Sequence, residues 1–197
     1  MTAGSVWPVR RNSVARIPRV AHRGRMLIRR ETTADHAAIR RVHAAAFADP
    51  DAPQRVPVEV GLVDALREDG SWLPALSLVA EREGEVVGHV VCTRAHVEGV
   101  AALALGPIGV PPESQRAGVG SALMHAVLGA ADALGEPLVA LLGHREYYPR
   151  FGFQPAEKLG ITPPVPEWAE HFQVRPLTGY DPAVRGEFAY AAPFMEL

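Results

Sequence analysis

Apolar and polar positions along the chain fall into two alternating periods, starting at Met26. Leu27-Ile28-Arg29-Arg30-Glu31 reads as a short strand, and Thr32-Thr33-Ala34-Asp35 behind it is a helix-start signal. Ile39, Val42, His43, Ala46 and Phe47 recur at helical spacing and predict a first amphipathic helix. Asp49 to Pro57 holds two Asp and three Pro and must be a loop. Val58 to Arg67 gives a second helix with Leu62, Val63 and Leu66 on one face. Leu76 to Arg82 and Glu85 to Arg94 are β-rich runs parted by Glu83-Gly84, which predicts a hairpin.

Val100 to Val110 is a further β-type run, interrupted by Gly106-Pro107. Proline cannot donate to a sheet ladder, so this strand must lie at an edge or carry a bulge there. A glycine-rich turn follows, then a long helix from Ala117 to Leu134, closed by Gly135, and a strand from Pro137 to Leu142. This order implies a crossover between neighbouring parallel strands. Tyr147 to Arg150 reads as one helical turn, and Phe172 to Val174 and Gly186 to Tyr190 as β-like pieces among Pro-rich loops, with no internal repeat.

Composition narrows the class. Hydrophobic residues make up 48% of the 197-residue chain and charged residues 21%, as in a soluble globular protein of one domain, or of one domain and a tail. No run approaches about eighteen apolar residues, so no membrane-spanning helix and no membrane partner is expected. A single cysteine, Cys92, excludes an internal disulfide framework and a cysteine-based zinc cluster, and places the chain by default in a reducing cytoplasm. The net charge of −2 hides an asymmetry: residues 1–30 hold eight Arg and no acid, so the remainder has 12 basic against 22 acidic residues, or −10. The first 25 residues lack a sustained apolar period and read as a disordered tail or a misassigned upstream start, although the pattern superficially resembles a transit peptide. All basic residues but Lys158 are Arg, a bias suited to a GC-rich, bacterial genome.

The segment with the most chemistry is Gln115-Arg116-Ala117-Gly118-Val119-Gly120-Ser121, between a strand and the long helix. Gly118 and Gly120 carry no side chains where the backbone turns, so successive N–H groups can point outward at a helix N-terminus and hold a phosphate or pyrophosphate. The segment has no lysine, as a P-loop requires, and Leu123 stands where a dinucleotide fold needs its third glycine. A cofactor that delivers a pyrophosphate to the helix while its arm lies along the bulged strand fits, and coenzyme A has that shape.

These residues carry a family resemblance. Gln115-Arg116-Ala117-Gly118-Val119-Gly120 resembles the Gln/Arg-x-x-Gly-x-Gly/Ala signature of the Gcn5-related N-acetyltransferases, and Tyr147-Tyr148-Pro149-Arg150-Phe151-Gly152-Phe153 resembles their second motif. Leu105-Gly106-Pro107-Ile108-Gly109-Val110, the paired tyrosines and the Leu78-Val79-Ala80 to Val87-Gly88-His89-Val90 hairpin are similar to the YhbS-like branch. The resemblance implies a single mixed α/β domain over residues 26–197, whose central, mostly antiparallel sheet is splayed between strands four and five and flanked by helices. It implies acetyl-CoA as cosubstrate, with main-chain groups of Ile108, Gly109 and Val110 receiving the pantetheine arm. Gln115, Arg116, Ala117, Gly118, Val119, Gly120 and Ser121 would hold the pyrophosphate. Tyr148 would be the general acid, since a phenol of pKa about 10 can protonate a thiolate of about 8.5.

The implied reaction is acetyl transfer to a primary amine, on a small molecule or a peptide, by direct attack in a ternary complex. The family's strand-four carboxylate would fall near Ala104, which is apolar, so the general base is open among Glu98, His96, His89, Glu59 and a water chain. His144-Arg145 stands where relatives of this branch commonly have Asp-Pro. No His-x-x-x-His or carboxylate cluster suggests a metal. A CoA-binding sensor without efficient transfer is the chief rival reading. A nucleic-acid binder anchored by the arginine-rich tail conflicts with the acidic body, which leans towards a cationic amine. A homodimer is left open.

Overall fold

The computed structural model describes residues 25–196. The expected disordered tail at 1–25 therefore lies, apart from Arg25, outside the described residues. The chain builds β1 (Met26–Arg30), α1 (His36–Ala46), α2 (Val58–Glu68), β2 (Trp72–Arg82), β3 (Glu85–Val97), β4 (Val100–Gly109), α3 (Val119–Ala133) and β5 (Leu138–Leu142). Short strands β6 (Gln154–Pro155) and β7 (Ile161–Thr162) precede β8 (Phe172–Pro176), β9 (Gly186–Ala189) and a final turn of helix α4 (Ala192–Met195). The sheet runs β1-β2-β3-β4-β5-β8-β6, antiparallel at each neighbour except β4 with β5. β9 pairs with the end of β3 and, in parallel, with β7.

The mixed α/β architecture matches the expected fold class, and period-two alternation sorts its faces. Leu78 and Ala80 of β2, Leu103 and Leu105 of β4, and Val139 and Leu141 of β5 share one core with Leu123, Met124, Val127 and Leu128 of α3. Val79 points the other way, onto Ile39 of α1 and Val63 of α2. Each fully buried Leu or Val contributes about 1.5–3 kcal/mol by leaving water. Arg94 of β3 forks onto both carboxylate oxygens of Glu136, at 2.5 and 2.6 Å, tying β3 to the turn that follows α3. Among the described residues no helix is long and apolar enough to cross a membrane.

Some boundaries differ from the sequence reading. β2 starts at Trp72 rather than Leu76, and an irregularity between Trp72 and Ser77 accommodates Pro74. β3 continues to Val97 because β9 pairs with its end, a long-range contact that local pattern does not carry. α3 starts at Val119 rather than Ala117, because Gly118 occupies the left-handed region at φ 82°.

The expected bulge in β4 is present. Val90 pairs with Ile108 and Cys92 with Leu105, so three steps along β4 face two along β3, and the extra residue falls at Gly106-Pro107. β4 meets β5 only at Leu103–Val139 and Ala104–Ala140. Beyond Ala104 the strands part, leaving the last residues of β4 without a partner on that side.

Candidate active site

Where β4 and β5 part, a cleft of about 780 Å³ opens at the N-terminus of α3. Ile108 and Val110 form its β4 wall, and Ala46 and Phe47 of the α1 end close one side. Gln115, Arg116, Gly118, Val119, Gly120 and Ser121 form its floor, and His144, Tyr147, Tyr148 and Arg150 the wall opposite. Of the eleven residues expected at the site, nine line this cleft. The exceptions are Gly109, which faces away, onto His43 of α1, and Ala117, exposed in the turn.

The turn before α3 has the geometry of an anion cradle. Arg116 at φ 57° and Gly118 at φ 82° are both left-handed and flank Ala117, so the chain curls ahead of a 15-residue helix, a backbone form in which successive amides can converge on an anion. The region is rare for a side chain such as that of Arg116. A Cβ at Gly118 would meet nothing within 4 Å, so glycine is required there by conformation and not by crowding. Gln115 spans the turn from outside, its Nε2 donating to the Val110 carbonyl at 2.9 Å, and this pins the exit of β4 to the cradle.

On the opposite wall, Pro149 lies in the first turn of the short 3-10 helix Tyr148–Phe151, and Gly152 at φ 85° ends it. Phe151 and Phe153 are buried and anchor the segment. The Tyr148 ring lies edge-on to Phe153 at 5.9 Å and to Tyr147 at 5.1 Å. It also lies so close to Gly143, at the end of β5, that a Cβ there would overlap the ring. Burial, with the neighbouring Tyr147, pushes the Tyr148 phenol up to about 12, so it carries its proton at neutral pH. Tyr147 faces the start of α3, its hydroxyl 3.3 Å from where a Cβ on Gly120 would sit, and the Arg150 guanidinium lies 4.7 Å over its ring.

None of the candidate bases reaches the cleft. His89 is fully buried beneath the sheet, within a network of other polar side chains. Glu98 sits in the β3–β4 turn and accepts the Glu187 amide at 3.0 Å, at the opposite end of the sheet. His96 pairs across to Ala189 of β9, and Glu59 is half-buried on α2. No carboxylate is among the lining residues, and their one imidazole is His144. His144 also borders an adjoining recess of about 500 Å³ with Arg145, Glu146, Arg150 and His171. Ala46, Phe47, His144, Tyr147 and Arg150 line the cleft without having been expected there, and Gly143, beneath the Tyr148 ring, was missed as well. The closeness of His144 to the double-tyrosine motif was the available signal, whereas Phe47 arrives by helix packing alone. Among the described residues no group of three or more His, Cys, Asp or Glu could hold a metal ion.

Residues 27–156 match the family described as Acetyltransferase (GNAT) domain. The uncharacterized N-acetyltransferase YjhQ of Escherichia coli K12 is 38% identical over 143 residues, which is 68% of this chain and 79% of that protein. The crystal structure of the GNAT family N-acetyltransferase YhbS from Escherichia coli, in complex with CoA, superposes with a TM-score of 0.77 at 29% identity, covering 87% of this chain and 92% of that one. A GNAT family acetyltransferase from Brucella melitensis, in complex with acetyl-CoA, superposes with a TM-score of 0.70 at 32% identity, covering 86% and 98%.

Proposed function

Because the chain belongs to the GNAT family of acetyltransferases, we propose that it is a YhbS-like member that transfers the acetyl group of acetyl-CoA directly to a primary amine. The observation that carries this reading is the convergence of three parts in one cleft: the unpaired end of β4, the left-handed turn at Arg116–Gly118 and the protonated Tyr148. Ile108 and Val110 offer main-chain groups to the pantetheine arm as a sheet edge offers them to an added strand. The amides from Arg116 to Ser121 hold the pyrophosphate, and the Arg116 guanidinium adds charge. The CoA and acetyl-CoA complexes of the two structural relatives support this placement.

In the reaction the amine nitrogen forms a bond to the acetyl carbon, and the carbon–sulfur bond breaks. A backbone N–H near Ile108 stabilises the negative charge that develops on the carbonyl oxygen. Tyr148 donates its phenol proton to the departing thiolate. At about 12 this phenol is a weaker acid than in water, but burial acts the same way on a thiol, as it does on Cys92, whose thiol is raised by desolvation. A leaving thiol taken out of water beside Tyr148 is shifted in the same sense. His144 is the lining group placed to take the proton that the ammonium must lose before its nitrogen can attack, and the second proton, released from nitrogen after the carbon–nitrogen bond forms, balances the one that Tyr148 gives up.

The test is thiol release from acetyl-CoA across a panel of peptide, polyamine and small-molecule amines, with the acetylated product identified by mass spectrometry. Amine-dependent release supports the proposal. Acetyl-CoA binding with no release above the amine-free rate would overturn it in favour of a CoA-binding sensor, the reading favoured by a cleft without a carboxylate.

A further inference from the structure

Beneath the cleft lies a buried polar chain that the chemistry above does not use. His43 of α1 and His89 of β3 are both fully buried, and His43 Nε2 lies 2.8 Å from His89 Nδ1. His89 Nε2 lies 3.1 Å from Glu31 Oε2 and 2.9 Å from the hydroxyl of Ser77 on β2. Ser77 donates to the same Glu31 oxygen at 2.6 Å, and Arg67 of α2 donates to Oε1 at 2.8 Å. Four side chains, Arg67 of α2, Ser77 of β2, His89 of β3 and, through His89, His43 of α1, thus end on the carboxylate of Glu31, the residue after β1, and His36 Nε2 lies 3.5 Å from its Oε1.

The chemistry of the groups sets the protons. An ionised carboxylate only accepts, so His89 carries its proton on Nε2 and its Nδ1 is left as an acceptor. That acceptor requires the His43 proton on Nε2. His43 Nδ1 is then a bare lone pair, and it is buried with no hydrogen-bond partner. It faces Gly109, where a Cβ would stand 2.8 Å from Nδ1 and 3.0 Å from the adjacent ring carbon. Gly109 lies between Ile108 and Val110, on the stretch of β4 that has lost β5, and it is also the register partner of His89. The chain therefore holds this stretch twice, through the β3 ladder and through the His43 ring. The same ring stacks on Phe47 of the cleft wall, centroid to centroid 5.9 Å. An unpartnered buried nitrogen is a cost that an aliphatic side chain would avoid.

Resting on the acetyl-CoA reading above, we propose that Glu31, His89 and His43 form a positioning relay: it locks His43 in one tautomer against Gly109 and so sets the depth of Ile108–Val110 beside the thioester arm. The residues are positioning groups, since none touches the substrate. The relay has a direction. In Glu31→Gln the amide oxygen takes the place of Oε1, where Arg67 Nε donates at 2.8 Å, rather than that of Oε2, where Arg67 Nη2 lies farther off at 3.3 Å, so its NH₂ faces His89. That reverses the proton on His89 and, in turn, on His43, and drives an N–H towards Gly109.

The experiment combines imidazole tautomers read by long-range ¹H–¹⁵N correlation spectra with CoA affinity by calorimetry and steady-state kinetics. In the unaltered protein His43 is expected as the Nε2–H form, and Glu31→Gln is expected to reverse it. Affinity for CoA and KM for acetyl-CoA should worsen about tenfold in Glu31→Gln and in His43→Leu, the size expected for one mispaired buried group, while KM for the amine stays unchanged. His43→Gln keeps an N–H towards His89 and should restore CoA affinity to within about threefold of the original. A His43 Nδ1–H tautomer in the unaltered protein, or unchanged CoA affinity in folded Glu31→Gln and His43→Leu, would overturn the relay. An unaltered protein that binds no CoA would instead remove the acetyl-CoA reading, and the relay's role with it, whatever the tautomers show.

Discussion

Tyr148 is aimed by Gly143: the ring covers a backbone position that has no room for a side chain. Tyr148→Phe removes one hydroxyl and keeps the ring against Phe153, so CoA affinity should hold while kcat and kcat/KM fall together on the order of 10²–10⁴-fold. Thiol-release kinetics beside calorimetry check this, and equal small effects on both constants would make Tyr148 structural. Tyr147→Phe is expected to cost less in kcat, although Tyr147 itself lines the cleft and meets the start of α3. Gly143→Ala should displace the Tyr148 ring, lower stability by about 1–3 kcal/mol through overpacking and reduce kcat with Tyr148 still present. Thermal melting read beside kcat checks it, and an unchanged kcat would separate ring position from catalysis. The tyrosine was legible in its motif. Gly143 was not, because its constraint comes from a ring five residues on that folds back over it.

At the scale of elements, the junction of β4 and α3 carries the site. Gly118→Asp should leave the protein folded and nearly abolish CoA binding, because on the proposed placement a carboxylate would sit where the pyrophosphate binds, and a non-glycine residue would have to hold φ 82°. Calorimetry on the folded variant decides it; unchanged affinity would move the pyrophosphate site elsewhere. Gly118→Asn, which tolerates the left-handed region and is uncharged, should lose far less. The strand, bulge, turn and helix were all readable from Gly106-Pro107 and the glycine pair, since proline and glycine act on their own backbone. The parting of β4 from β5 was expected from the resemblance alone. Its extent, pairing that stops after Ala104, is a property of two strands together.

For the whole molecule, the buried relay ties stability to pH. Burial, helped by the Arg67 charge, lowers His43 to about 3 from an ordinary 6.5. The unfolded chain therefore takes up this proton first, and the stability that neutral His43 contributes is complete above pH 6.5 and lost as pH falls towards 3, by up to about 1.4 kcal/mol per pH unit. Burial opposes ionisation of Glu31, but hydrogen bonds from His89, Arg67 and Ser77 outweigh it and hold the carboxyl near 2 against an ordinary 4.5, so its share is lost only between those values. Melting temperature should begin to fall below pH 6.5, and since burial lowers His89 as well, His43→Gln should make the part of the curve above pH 4.5 shallower without flattening it. A parallel fall in the variant would place the effect on other groups. Sequence by itself determined the main elements from β1 to β5, the bulge and the two-glycine turn, because periodicity, proline and glycine act within a few residues, and the resemblance of its motifs supplied the fold class. Only the tertiary structure decided that Gly109 faces His43, that His89 lies in a buried relay and not in the cleft, and that Phe47 and His144 complete its walls. Those facts depend on which face of a helix meets which strand, and groups 12 to 58 residues apart carry no local mark of one another.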